Sequence, residues 1–397
     1  MTTATAADAP SLPWRQLRAV EAVLRCGGAA QAAAELHVSA SAVSRAVQQA
    51  EARLGIPLFE RGARGMSGTP AAALLVRRVV RAQQQLQQAA GPQLAARISE
   101  TLLQVLLAVA DCHSESAAAR QLGLSQSAVH QNLRQLEHAA RCSLFQHSRQ
   151  GTRLTEAGEA LLLRAKLALA ELRAAEDELA LLCGRAVGRV AVGALPMAAD
   201  VLVPQALSSL LGAHPGIQVT VADGTYEALL HQLRQGDLDL VIGPLRGGLA
   251  PPDVAETPLL QDRLMPVVRS GHPALAAGVG RLGDLRCWPW IGPLPGTPAR
   301  AAFVRAFAAA GLAPPTVAVQ ANSPAVVRSL LRSSNAVALV SLLQIRAELD
   351  AGLLAQLPVA VHDTERSIGL MQRRDGLPSP SQTALAAALQ AAAAQVD

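Results

Sequence analysis

The sequence predicts a multidomain protein: two small, all-α-rich units of winged helix-turn-helix pattern, a long linker helix, then an α/β domain. Three observations lead there. First, the stretch "SASAVSRAVQQAEARLGIPLF" from Ser39 to Phe59 returns as "SQSAVHQNLRQLEHAARCSLF" from Ser125 to Phe145. Val43 answers Val129, Glu51 answers Glu137 and Phe59 answers Phe145. The offset is 86 each time, and the register runs ungapped from Leu17/Leu103 to Thr69/Thr155. Second, only 5 of the 24 prolines precede residue 186. Third, apolar residues recur at three- and four-residue spacing up to about Gly184. Beyond it, short β-branched runs such as "GRVAVGAL", "IQVTVAD" and "LDLVIGP" alternate with helical segments, the mark of an α/β layer structure with parallel strands.

A chain of 397 residues is too long for one ordinary core. The expected boundaries are 12–82 for the first unit, 83–100 for a linker, 101–156 for the second unit, 157–185 for the linker helix and 186–397 for the α/β domain. Half the residues are apolar and 2% aromatic, which favours packed helices over disorder. The net charge of +5 is uneven: residues 1–98 hold 11 Arg against 5 acids, and residues 120–153 hold five Arg against Glu137 alone. Basic charge gathered in the repeated region suits a polyanionic partner. The five cysteines form no CxxC pair, and they read as reduced, mostly buried thiols of a cytoplasmic protein. The opening "MTTATAADAPSLPW" has no apolar core of a secretory signal, and "LLQVLLAVA" is too short to span a bilayer, so no membrane role is expected.

In the second unit "SESAAARQLGL" reads as a short helix ended by Gly123, with Ser125 as N-cap of the next. Val129, Leu133 and Leu136 fall inward; Gln126, Ser127, His130, Gln131 and Arg134 face out. In the first unit Ser39 is the cap, Val43, Val47 and Leu54 face in, and Ser41, Ser44, Arg45 and Gln48 face out. Two short helices, a tight turn and a capped second helix with a polar face describe a helix-turn-helix. Such a helix fits the major groove of double-stranded DNA. Its N-terminal amides and Ser hydroxyls suit phosphate, and Arg, Gln and His can reach base edges. The basic stretches "ERGARGMSGT" and "QHSRQGTRLT" follow as hairpin wings, placing Arg61 and Arg64, or Arg149 and Arg153, near the tips. The plainer alternative, a helical hairpin with a solvated polar face, is weakened by the repetition of cap, turn and wing.

"LHVSASAVSRAVQQAEARLGIPLFER" resembles the winged helix-turn-helix of LysR-type transcriptional regulators. The second copy resembles it too, with the family's post-wing "LTEAGE" at 154–159. The resemblance covers almost the whole chain, and the departure is duplication, a variant with two tandem N-terminal units. Each copy departs separately: the first reads "SGTPAAALL" after its wing, and the second has His130-Gln131 in place of the "SR" pair. Outward residues differ (Ser44/His130, Arg45/Gln131, Gln48/Arg134) while inward ones persist. That leaves two readers of different sequences, or one reader and one scaffold.

The segment "AGEALLLRAKLALAELRAAEDELALL" reads as an amphipathic helix with a seam at Leu161, Leu167, Leu172, Leu179 and Leu182. The resemblance implies that it pairs with the same helix of a second chain in a dimer or tetramer; a plain surface helix is the alternative. It also implies a two-lobed, periplasmic-binding-protein-like effector domain, lobe one at 188–265 plus 362–393 and lobe two at 266–355. Crossings are expected near Asp262–Val268 and Pro358–Ile368. Ligands in such folds sit at strand ends beside helix N-termini. That selects Met197, Thr225, Tyr226, Gly243, Arg246, Thr297 and Ser323 for a small-molecule effector, with Thr225 and Ser323 as caps and Arg246 for an anionic group. An ordinary cap or surface Arg is the alternative at each.

No G-x-S-x-G elbow, strand-borne GxGxxG, HExxH or P-loop is present, and the nine His are dispersed, so no enzyme and no cofactor are expected. The expectation is an effector-modulated, DNA-binding transcriptional regulator. The runner-up is a cytoplasmic small-molecule-binding protein whose helical repeats serve as a dimerisation scaffold.

Overall fold

The computed structural model describes residues 12–62, 65–148, 151–185 and 188–396. They form two compact units that divide at Gly188.

The first unit holds both repeats. Copy one is α1 (Trp14–Cys26), α2 (Ala29–Leu36), α3 (Ala40–Leu54), a hairpin of β1 (Phe59–Gly62) and β2 (Gly65–Gly68), and the long α4 (Pro70–Arg97). Copy two is α5 (Glu100–Cys112), α6 (Glu115–Leu122), α7 (Gln126–Ala140), β3 (Phe145–Ser148), β4 (Gly151–Leu154) and α8 (Glu156–Leu182). The residues shared between copies are those that close the fold. Glu51 accepts the N–H groups of Leu58 and Phe59 at 2.8 and 3.1 Å; Glu137 accepts those of Leu144 and Phe145 at 2.9 and 3.3 Å. The Thr69 hydroxyl donates to the Pro57 carbonyl at 2.9 Å, and that of Thr155 to the Ser143 carbonyl at 2.8 Å. The carboxylates pin the wing to the helix before it, and the hydroxyls close the base of the wing.

Three turns take the left-handed conformation at matched positions: Gly27 and His113, His37 and Gly123, Gly55 and Arg141. A left-handed residue ends a helix by letting its N–H reach back to an orphan carbonyl. The fold demands the conformation in both copies, although each turn has its glycine in only one.

The segment expected as a linker, 83–100, is mostly the far half of α4. Gly91 breaks that helix, at φ +71. The stretch ahead of it lies along α8. Leu75, Val79, Ala82 and Leu86 of α4 are buried, as are Leu161, Ala165, Ala168 and Leu172 of α8. The α8 seam therefore has a partner within its own chain. Of the leucines assigned to it, Leu161, Leu172 and Leu179 are buried, Leu167 is half-buried and Leu182 is exposed. Short Ala at the intervening positions lets the helices approach. Beside the seam Arg78 is only 1% exposed, yet it donates to Glu171 at 2.7 Å and to Glu178. Arg81 adds a bond to Glu171 at 2.8 Å and Arg77 one to Glu178 at 3.2 Å. Burial pulls the Arg78 pKa down, but its bonds to the two carboxylates outweigh that and raise it.

The cysteines are less buried than expected: Cys142, Cys183 and Cys287 are exposed, and Cys26 and Cys112 half-buried. Cys26 and Cys112 donate to Glu35 and Gln121, themselves one repeat apart.

The second unit has a nine-stranded sheet. Its strands are β5 (Gly188–Ala194), β6 (Ile217–Asp223), β7 (Leu240–Pro244), β8 (Val254–Arg269), β9 (Trp290–Gly292), β10 (Val317–Gln320), β11 (Val337–Ser341), β12 (Leu354–Gln356) and β13 (Glu365–Arg373). The order is β10-β9-β11-β8-β13-β7-β5-β6, with β12 also on β8. The expectation of parallel strands holds for β5/β7, β9/β10 and β9/β11. It fails for β8 and β13, which run antiparallel to their neighbours because they are the strands that cross between lobes. β8 pairs β13 from Val254 to Arg263, then β11 and β12 from Leu264 onward. Lobe one has its main core around Val192, Leu202 and Ile242; lobe two packs around Trp290, Phe303 and Phe307. Helices α9 (Pro196–Ala213), α10 (Tyr226–Gln235), α11 (Pro273–Ala276), α12 (Pro298–Ala309), α13 (Pro324–Ser333), α14 (Arg346–Asp350) and α15 (Pro380–Ala394) complete the unit.

Candidate DNA-reading faces and effector cleft

Helices α3 and α7 are built alike at their first turns. Ser39 Oγ accepts the Ala42 N–H at 3.2 Å and lies 3.0 Å from Ser41 Oγ. Ser125 Oγ accepts the Ala128 N–H at 3.2 Å and lies 3.0 Å from Ser127 Oγ. Val43, Ala46, Val47 and Ala50 bury one face of α3; Val129, Leu133 and Leu136 bury that of α7. With the inner face anchored, Ser41, Arg45 and Gln48 stand exposed on α3, and Gln126, Ser127, His130, Gln131 and Arg134 on α7. Ser44 is only half-buried, turned partly toward the core. His130 also engages its own fold, Nδ1 lying 3.1 Å from the Glu115 carboxylate. Copy one has Ala29 at the position of Glu115, so the two faces differ in charge as well as in side chains. In the wings Arg61 sits on β1 opposite Met66, and Arg153 is exposed on β4 opposite Gln146. Arg64 and Arg149 lie outside the described residues.

In the second unit a cavity of about 490 Å³ lies between the lobes. Met197, Thr225, Tyr226, Arg246 and Thr297 line it, as the sequence suggested. Gly243 and Ser323 do not. Gly243 is a packing glycine, since a Cβ there would come within 2.6 Å of the Leu195 side chain. Ser323 holds the N-cap position of α13 but makes no capping bond; its neighbour Asn322 lines the cavity and accepts the Leu294 N–H at 3.0 Å. Thr225 and Thr297 do cap, accepting the N–H groups of Ala228 and Arg300 at 3.2 and 3.1 Å.

Arg246 reaches from lobe one to lobe two, where its Nη1 donates to the Gly296 carbonyl at 2.9 Å. Its guanidinium lies 4.2 Å from the centre of the Tyr226 ring. The Arg246 and Gly247 backbone amides donate to Glu256 at 2.9 and 2.8 Å. Yet Arg246 Nε and the Tyr226 hydroxyl are buried without a partner, and burial pushes the Tyr226 pKa up. Two further cavity arginines escaped the sequence reading. Arg366 pairs with buried Asp262 at 2.7 Å, which also accepts the Ser341 hydroxyl at 2.6 Å. Arg328 reaches Asp200 at 3.4 Å and Glu348 at 3.3 Å. Arg366 stands on a crossing strand, and that position is the signal that would have found it.

Comparison with known proteins settles what carries these features. Residues 184–394 match the model described as the LysR substrate binding domain. The model for the bacterial regulatory helix-turn-helix protein of the lysR family matches twice, at 14–73 and 101–159. The chain belongs to the LysR family. This LysR-family chain is similar to the HTH-type transcriptional regulator GalR of Pseudomonas putida, 35% identical over 94% of this chain and 96% of that protein. It is also similar to PcaQ of Agrobacterium fabrum, 33% identical over 76% of this chain and 96% of that protein. A full-length OxyR variant from Pseudomonas aeruginosa shares the fold, with a TM-score of 0.55 at 20% identity over 73% of this chain and 94% of that one. The chain is a transcriptional regulator that joins DNA-binding units to an effector-binding domain, and it belongs to a non-enzymatic family. Among the described residues no helix is long and apolar enough to cross a membrane.

Proposed function

We propose that this regulator works in the cytoplasm as a dimer or tetramer, reads duplex DNA with both α3 and α7, and changes its grip when a small anion with an apolar body binds between the lobes. The observation that supports the effector class is the pair of stranded polar groups, Arg246 Nε and the Tyr226 hydroxyl. A buried donor without a partner costs about 1–3 kcal/mol, and a ligand that supplies the acceptor recovers it. A carboxylate meets Arg246 as a charge-assisted acceptor, while Leu195, Met197 and Leu294 offer the cavity's apolar wall. Because Arg246 already bridges to Gly296 of lobe two, a ligand competing for that guanidinium alters the link between lobes.

Calorimetry of the full chain against small carboxylates and their matched amides tests the effector. Carboxylates bind, amides do not, and Arg246→Met abolishes the difference; equal binding of amides removes the anion from the proposal. Retardation of the gene's own upstream DNA across salt concentrations tests the reading residues. Arg45→Ala and Arg134→Ala each weaken specific binding by about 1–3 kcal/mol if they meet base edges. An unchanged Kd for either variant takes that helix out of the reading.

A further inference from the structure

The contacts between α4 and α8 obey a rule that an ordinary helix pair does not. Arg78 bonds Glu171, and Arg164 bonds Gln85 at 2.8 Å. Arg164 is the repeat counterpart of Arg78, since 164 − 78 = 86, and Glu171 that of Gln85, since 171 − 85 = 86. If residue i of the first copy touches residue j of the second, the counterpart of i touches the counterpart of j. That reciprocity defines an isologous, two-fold contact. Burial along the seam matches as well: Leu75/Leu161, Val79/Ala165, Ala82/Ala168 and Leu86/Leu172 are all buried, each pair at the same offset of 86. The partners of Arg78, Arg81 and Gln85 descend along α8, from Glu178 through Glu171 to Arg164, so the helices run antiparallel. Residues from both copies belong to one continuous core, from Leu12 to Leu179.

We infer that one chain is a complete two-headed reading module, in which α4 does for α8 what a second subunit's linker helix would do, and that the module recognises duplex DNA bearing two unlike half-sites. The inference rests on the proposed reading by both helices. Two identical heads about a two-fold axis read a palindrome. Here the axis relates backbones only. The counterpart pairs Ala40/Gln126, Ser44/His130, Arg45/Gln131 and Gln48/Arg134 present different side chains to the groove. The half-sites are therefore inverted in sense and different in sequence. The buried Arg78 cluster fixes the register of the pair, since sliding α4 along α8 would part Arg78 from Glu171 and Glu178. Linkage within one chain also makes head pairing independent of protein concentration.

Selection of duplexes from a randomised pool with the full chain tests this. The expected motif has two unlike halves and takes one chain per copy at saturation. Converting the first face to the second (Ala40→Gln, Ser44→His, Arg45→Gln, Gln48→Arg) turns the selected motif into a palindrome; the changes lie on or beside the polar face and leave the seam intact. A palindrome selected by the unaltered chain, with two chains per copy, overturns the inference while leaving DNA reading intact. Selection of a single half-site, or of none, sinks it together with reading by both helices. A second arm separates pairing within a chain from exchange between chains. Arg45→Ala and Arg134→Ala chains are co-expressed, each expected to bind the selected duplex roughly 5- to 150-fold more weakly. Pairing within a chain leaves a damaged head in every module, so affinity stays reduced. Recovery of tight binding by a fraction of the mixture means that α4 pairs with the α8 of another chain, and overturns the inference.

Discussion

The two copies of the reading head differ on the outside and agree on the inside. Their caps, the carboxylate that holds the wing and the apolar stripes match at an offset of 86, whereas the exposed positions of α3 and α7 share little beyond Ser41/Ser127 and Gln49/Gln135. Buried positions are constrained by volume and by backbone groups that need partners; exposed positions answer only to what docks on them. A duplicated unit thus separates the residues that make the fold from those that make the choice of partner. The linker helices show one break in this agreement. Arg78 meets two carboxylates, but its counterpart Arg164 meets the neutral Gln85.

That break sets the largest expected difference between copies. Arg78→Ala leaves Glu171 and Glu178 with only their outer partners, Arg81 and Arg77, and the first unit loses about 3 kcal/mol, the low end for breaking a buried ion pair. Arg164→Ala, at a half-buried neutral contact, costs about 1 kcal/mol. Urea unfolding of the full chain, followed through the helical signal of its first transition, compares the two; equal losses would mean that the carboxylates contribute nothing to the seam.

The wing carboxylates sharpen the comparison from the other side, since they should behave alike. Glu51→Ala and Glu137→Ala each orphan two backbone N–H groups and cost about 1.5–3 kcal/mol. Hydrogen exchange should quicken at Leu58 and Phe59 in one variant and at Leu144 and Phe145 in the other. A wing that stays protected in either copy breaks the equivalence. The smallest effect lies at the turns. His37→Gly, His113→Gly and Arg141→Gly each place glycine where the counterpart turn is also left-handed, and each should stabilise by about 1 kcal/mol. A rise in thermal midpoint of a few degrees is expected for each; a fall shows that the side chain makes a contact worth more than the backbone strain.

Much of this was legible in the residues. Ser39 and Ser125 announce helix starts because a hydroxyl there satisfies an amide the helix cannot. Val43, Val47, Leu133 and Leu136 announce a buried face by spacing, and Thr225 announces its cap. Ser323 misled, because a hydroxyl at a cap position need not turn to its helix; Asn322 beside it bonds Leu294 instead. The cysteines misled in the same way, since composition suggests burial and cannot locate it. Arg78 was invisible: one Arg on a helix reads as solvated, and only its distant carboxylates make it a core residue. The repeat itself continued in the sequence beyond Thr69/Thr155, through Leu75/Leu161 to Leu86/Leu172, where the seam residues keep the same offset.

The sequence determined what most segments would be: two capped helix-turn-helix units, wings, one long linker helix and an α/β domain, with the family resemblance giving that domain its effector role. Periodicity and capping are local, and a residue's neighbours in the chain carry them. Only the tertiary structure decided what each segment would meet. An amphipathic seam specifies that a partner helix exists and not which chain supplies it, because apolar surface is complementary to any apolar surface of matching shape. The pairing of α4 with α8, and the pairing of Arg78 with two carboxylates about a hundred residues away, came from the chain folding back on itself.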